Sequence, residues 1–213
     1  MTRTARFITF EGIEGVGKST QIAALTAALT ERAIAHSVTR EPGGTPLAEK
    51  IRSLVLDQGL EPLPSSAELL LMFAARAVHL ANLIEPELRD GRWVLCDRFT
   101  DASYAYQGAG RGLSTAVIAT LESFVQGDRR PDLTILLDMP VATALARVRL
   151  RNPGAVQDRF ETEAAKFFER TRHAYLARAA ASPQRIVVID ADQPAADVTR
   201  AILAALESKR WIS

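Results

Sequence analysis

Gly12-Ile13-Glu14-Gly15-Val16-Gly17-Lys18-Ser19 fits the pattern G-x-x-x-x-G-K-[ST] at every fixed position, and it directly follows the apolar run Phe7-Ile8-Thr9-Phe10. In that context the stretch is a phosphate-binding loop. The glycines let backbone N–H groups converge on phosphate oxygens, Lys18 adds a point charge between the last two phosphates, and Ser19 offers a hydroxyl to Mg²⁺. A helix is predicted next, because Ile22, Leu25 and Leu29 fall on one stripe, and its positive end would face the phosphates. Residues Gly12 to Thr20 are therefore assigned to a nucleoside triphosphate.

The bulk properties agree with one α/β domain spanning residues 1–213. A net charge of +1 gives no overall basic field for a nucleic-acid polymer, so small anionic ligands fit better. The lone Cys96 cannot form an internal disulfide, and its run Trp93-Val94-Leu95-Cys96 predicts a buried core thiol. Cytoplasm is the expected compartment. The first six residues lead into the first strand without a signal-like apolar stretch, no membrane-length run is expected, and the chain should be soluble.

Five apolar, β-favouring runs are predicted strands: Phe7 to Phe10, His36 to Thr39, Trp93 to Cys96, Leu133 to Leu137 and Arg185 to Ile189. Their near-continuous apolar content predicts burial on both faces, hence a parallel sheet sandwiched by helices. The second run ends in Arg40-Glu41-Pro42-Gly43-Gly44-Thr45-Pro46, a turn at the carboxyl edge where open α/β sheets bind ligands. Arg40 there could face a substrate phosphate or solvent, and Thr45 should cap the next helix. Residues 66–89 are apolar nearly all round, so the helix must be buried on more than one face, which motivates a homodimer. Within it Arg76 needs an anion or an acceptor unless it snorkels to solvent. His36, His79 and His173 lack metal-ligand spacing and read as structural.

The third run ends in Asp97-Arg98-Phe99, an acid and an arginine at a strand's carboxyl end. Asp97 can hold Mg²⁺ through water or align an acceptor phosphate, and Arg98 can clamp that phosphate. Asp138, closing the fourth strand, competes with Asp97 for the metal. The following helix runs into an arginine-dense stretch, residues 147–160, broken by Pro153 and Gly154, a composition suited to a flap over phosphates. Residues 194–209 form an amphipathic helix predicted to pack on the last strand.

With the phosphate loop, Asp97-Arg98-Phe99, Tyr106-Gln107-Gly108, the Phe10-Glu11-Gly12 opening and the Arg40 to Thr45 turn in place, the chain resembles bacterial thymidylate kinase from end to end. The resemblance implies a phosphate-loop NTPase fold with a five-stranded parallel sheet flanked by helices, an arginine-rich lid and a homodimer. It also implies Mg²⁺-dependent transfer of the ATP γ-phosphate to dTMP, giving dTDP and ADP. Carried over, Glu14 approaches the acceptor's sugar hydroxyl, Arg98 and Arg40 its phosphate, Arg76 the thymine ring, and Ser103 and Gln107 the base edge. Gly15 stands where some members carry a catalytic arginine, so the catalytic arginine should come from the lid. Arg147, Arg149 and Arg151 alternate and cannot all point one way, and Arg149 is the first choice, with Arg151 next. The aromatic residue that commonly stacks on thymine is replaced by Met72, with Phe73 beside it. Either could lie under the base, and Phe73 is the choice for its floor. The alternatives are a deoxynucleoside kinase, with Glu11 or Asp97 as base, and a non-catalytic nucleotide switch, although neither an Asn-Lys-x-Asp nor an Asp-x-x-Gly motif occurs.

Overall fold

The computed structural model describes residues 4–57, 61–151 and 160–212. Strands and helices alternate along the chain: β1 (Phe7–Glu11), α1 (Lys18–Glu31), β2 (His36–Arg40), α2 (Pro46–Leu56), α3 (Ser65–His79), α4 (Glu85–Arg89), β3 (Trp93–Asp97) and α5 (Thr100–Ser103). Then follow α6 (Thr115–Gln126), β4 (Leu133–Asp138), α7 (Val141–Arg151), α8 (Phe160–Ala181), β5 (Ile186–Asp190) and α9 (Ala195–Ser208). A π-helical turn, Leu80–Ile84, joins α3 to α4, and a second, Tyr104–Gly110, follows α5.

All strands are parallel, in the order β2-β3-β1-β4-β5. The predicted runs are recovered, and each strand extends one residue further, onto a charged side chain: Glu11, Arg40, Asp97, Asp138 and Asp190. The register pairs Asp97 with both Phe10 and Arg40, so the carboxyl ends of β1, β2 and β3 come level at one edge. That edge is where a doubly wound sheet opens a crevice.

Alternation along the strands divides the core between two faces. Ile8, Phe10, Leu95, Ile135 and Leu137 join Leu25 and Leu29 of α1 and Ile202 and Leu206 of α9 on one side. Phe7, Val94 and Cys96 join Leu80, Ile84 and Phe99 on the other. Thr9 and Thr134, neighbours in register and fully buried, satisfy each other by a 2.8 Å hydroxyl–hydroxyl hydrogen bond. Cys96 is a buried thiol, and burial raises its pKa well above the ordinary thiol value.

The helix running through Ser65–Arg89 corrects one expectation, because by length and composition it is apolar enough to cross a membrane. Its inner face carries Leu69, Phe73, Arg76 and His79 into the domain. Both polar side chains are hydrogen-bonded there, as in a core helix of a folded domain. Its outer face exposes Leu70, beside α6, whose Val117 and Phe124 are also exposed.

Candidate active site

The phosphate loop closes over Lys18. Gly17, at φ 96°, precedes α1, and the buried Lys18 Nζ donates to the carbonyls of Gly12 and Ile13, each at 3.3 Å. Nζ also lies 4.0 Å from Asp97 Oδ1. Ile13 and Val16 are core residues, whereas Glu14, Ser19 and Thr20 are exposed. Burial pushes the Lys18 ammonium down to about 7, with the Arg98 charge adding to the shift, while Asp97, Glu11 and Glu14 oppose it. A lysine held this way gains stabilisation when phosphate arrives.

A cavity of about 270 Å³ opens here, lined by Glu14, Gly15, Gly17, Lys18, Ser19, Asp97 and Val148. Gly15 has φ +88°, and a Cβ there would collide with the carbonyl of Ala144. Helix α7 therefore packs on the loop backbone where a side chain would otherwise stand. Asp97 Oδ1 is buried with no hydrogen-bond partner. Asp138, by contrast, is taken up by Arg172 of α8 in a bidentate pair, at 2.7 and 2.9 Å. The Ser19 hydroxyl and the Asp97 carboxylate thus fit the oxygen ligands a Mg²⁺ ion takes alongside phosphates and water.

A second cavity, of about 460 Å³, shares Glu14, Lys18 and Asp97 with the first. Arg98 forms part of its wall, with Arg52, Met72, Tyr106, Gln107 and Glu68 among the others. Arg98 is held at φ +70°, a strained conformation for a side-chain-bearing residue. Its guanidinium donates to Gly12 O (3.0 Å), Tyr175 Oη (3.2 Å) and Tyr106 Oη (2.9 Å), and lies over the Tyr106 ring. Glu11 locks this turn, accepting 2.7 Å bonds from the Phe99 N–H and the Tyr175 hydroxyl. Burial, and next the Asp101 charge, raise the Glu11 carboxyl to about 7.

Behind Glu41 of the cavity wall, Arg76 is 1% exposed and bonded to Glu41 and Ser103, while its Nη1 has no hydrogen-bond partner. Gln107 donates to Glu68 at 2.8 Å, and its buried Oε1 is likewise unpartnered. Met72 lines the cavity. Phe73 does not: it is 2% exposed, packs with Leu69 and Ile118, and lies against the Arg76 guanidinium. Its choice as the floor under the base is corrected accordingly. Arg40 is also elsewhere, pairing at 3.0 Å with Glu49 on the surface. On α7, Arg147 turns toward Ala191 and Asp192, Arg149 is exposed, and Val148 faces the loop cavity. The Arg151 side chain and residues 152–159 of the expected lid lie outside the described residues.

A family model described as Thymidylate kinase matches residues 10–202. The chain belongs to the thymidylate kinase family. It is 56% identical to a thymidylate kinase of Teredinibacter turnerae over 96% of this chain and 98% of the relative. It is 58% identical to that of Pseudomonas entomophila over 94% of each. The crystal structure of thymidylate kinase from Ehrlichia chaffeensis superposes with a TM-score of 0.76 at 32% identity, covering 95% of this chain and 98% of that one. The chain is accordingly an enzyme that transfers the ATP γ-phosphate to dTMP, with a phosphate-loop NTPase fold.

Around these two cavities stand residues that pattern reading did not single out. Arg52 of α2 lines the larger cavity, tied by Nη1 to Pro42 O at 2.9 Å. Burial and the neighbouring Arg40 charge lower its pKa, as expected where positive charge awaits an anion. Glu68 receives bonds from Gln107 and Arg111, and Tyr175 reaches Arg98 from α8. The one signal available for Arg52 was its place on the helix that follows the ligand-edge turn.

Proposed function

We propose that the smaller cavity takes the phosphates of ATP and the larger one takes dTMP, with the reacting phosphates meeting at the wall they share. The observation that carries this is the sharing of Glu14, Lys18 and Asp97 by an anion-binding loop and a cavity bearing Arg52 and Arg98. Phosphoryl transfer asks the protein chiefly for positioning and positive charge. Lys18 bridges the terminal ATP phosphates, while Arg98 and Arg52 hold the dTMP phosphate in line with them. Ser19 and Asp97 would hold Mg²⁺, which when bound neutralises charge on the transferring group. Glu14 approaches the acceptor's sugar hydroxyl, and Met72 forms the apolar floor of the base.

The unpartnered Arg76 Nη1 and Gln107 Oε1 supply one donor and one acceptor for a base edge. With Ser103 buttressing Arg76, this end of the cavity suits an imide-bearing pyrimidine. Catalytic charge from the lid is assigned to Arg149, with Arg151 the second choice, because Gly15 leaves no room for a loop side chain.

The enzyme acts as a single domain, residues 1–213, in the cytoplasm, on small molecules. A homodimer is supported by the apolar outer faces of α3 and α6, where Leu70, Val117 and Phe124 are 58, 52 and 86% exposed. Phe124→Asp should turn a dimeric light-scattering mass into a monomeric one; a wild-type monomer at working concentration sinks this part. For the acceptor site, Arg52→Gln should raise the KM for dTMP at least tenfold, the scale of a charge-assisted bond to phosphate, and Arg40→Gln much less. The reverse order would move the acceptor phosphate to Arg40.

A further inference from the structure

Arg76 is held by Glu41 and, behind it, by His79 and Thr39. Its Nε donates to Glu41 Oε2 at 2.7 Å. The other carboxylate oxygen, Oε1, faces His79 Nδ1 at 3.1 Å, and His79 Nε2 faces Thr39 Oγ1 at 2.7 Å. A proton on Nδ1 satisfies the contact to Glu41, to which the ring donates, and the Thr39 hydroxyl completes the contact at Nε2. The chain of bonds thus runs from β2 through α3 to the cavity wall, where Glu41 lines the acceptor site.

His79 is fully buried, and the turn is built around it. Gly44, at φ +86°, passes so close that a Cβ there would collide with Thr39 Oγ1 and His79 Nε2. The backbone thereby seals the pair from water, in surroundings where a polar contact strengthens and an unmet one is costly.

We propose that His79 is a positioning residue for base recognition: by fixing the Glu41 carboxylate, it holds the Arg76 guanidinium with Nη1 presented to the base. The proposal rests on the reading of the larger cavity as the dTMP site. A core histidine with no such role would affect stability, and both substrates alike when replaced.

The test is steady-state kinetics of His79→Leu, His79→Asn and Arg76→Met, with melting curves for each. Loss of one hydrogen bond to a charged group corresponds to roughly tenfold in affinity. His79→Leu should therefore raise the KM for dTMP roughly tenfold and narrow the preference for dTMP over dCMP, with the KM for ATP and kcat at saturation changing by less than about twofold. His79→Asn, whose amide nitrogen stands near the Nδ1 position and can still donate to Glu41, should recover most of the loss. Should His79→Leu fail to fold, Thr39→Val carries the same comparison and should raise the KM for dTMP about threefold. An unchanged KM for dTMP in the variant used, equal rises for both substrates, or an Asn variant no better than Leu overturns the proposal. If Arg76→Met also leaves the KM for dTMP unchanged, the cavity reading fails too; if Arg76→Met raises it while the His79 variants do not, only the positioning role falls.

Discussion

Replacing Glu11 by Gln should flatten the pH dependence of stability between pH 5 and 7. The Glu11 carboxyl sits at about 7 in the folded chain against an ordinary 4.5, chiefly because it is buried and secondly because Asp101 is near. The folded chain therefore binds the extra proton between those values. Glu11's contribution to stability is complete below pH 4.5 and is lost as the pH rises through about 7. Moving from 4.5 to about 7 corresponds to about 3 kcal/mol, of which about 2 kcal/mol falls between pH 5 and 7. Lys18 works the other way, its folded pKa being depressed to about 7, but in this window it returns only a few tenths of a kcal/mol. Glu49, Glu87 and Asp101, all depressed, titrate mainly below the window. In the variant, the amide oxygen can still accept from the Phe99 N–H. Urea unfolding of both proteins at pH 5 and 7 gives the comparison, and constant losses from the substitution cancel in the slope. Wild type should lose about 2 kcal/mol more than Glu11→Gln across the window. Identical slopes would mean that the buried carboxyl is not the titrating group.

ATP binding should take up close to one proton at pH 8 and almost none at pH 6, since Lys18 is largely neutral above about 7 in the free protein and recharged by phosphate. Calorimetry in buffers of different ionisation enthalpy reads this directly, and equal uptake at both pH values contradicts it. Phe73→Ala should cost about 3–5 kcal/mol of stability and leave dTMP affinity nearly intact, with Met72→Ala doing the opposite; a loss of dTMP affinity in Phe73→Ala alone would return that ring to the site. Arg149→Ala should lower kcat at least about 10²-fold with small changes in both KM values, and Arg149→Lys should rescue poorly. Near-normal kcat in that variant would transfer the role to Arg151.

The sheet was legible because its strands are covered on both faces, so each is a nearly unbroken apolar run. Each predicted run stopped one residue short at its carboxyl end because the last residue is charged, and no apolar pattern includes Glu11 or Asp97. The phosphate loop and Asp97-Arg98 were legible because their spacing is local. Met72 and Phe73 were not separable from sequence: both neighbour Arg76 on the helix, and which one meets the cavity depends on a rotation of α3 set by packing of Leu69 and Phe73 on Ile118. Arg40 was the conspicuous arginine in a turn, yet it swings out to Glu49, while Arg52 is brought in by the fold of α2 over Pro42. Glu11 acquires its environment from Tyr175, separated from it by 164 residues, a contact no local pattern encodes.

The anion-binding loop and the arginine-bearing cavity meet at a shared wall of Glu14, Lys18 and Asp97. ADP release from ATP and Mg²⁺ by the purified protein, with dTMP, dCMP or thymidine as acceptor, shows whether the two cavities serve donor and acceptor. On the proposed reading the acceptor brings a phosphate to Arg98 and Arg52 and an imide edge to Arg76 and Gln107, so dTMP should be preferred, dCMP poor and thymidine inert. Preference for thymidine, or ADP release that does not depend on an acceptor, would mean that the larger cavity does not take a nucleoside monophosphate.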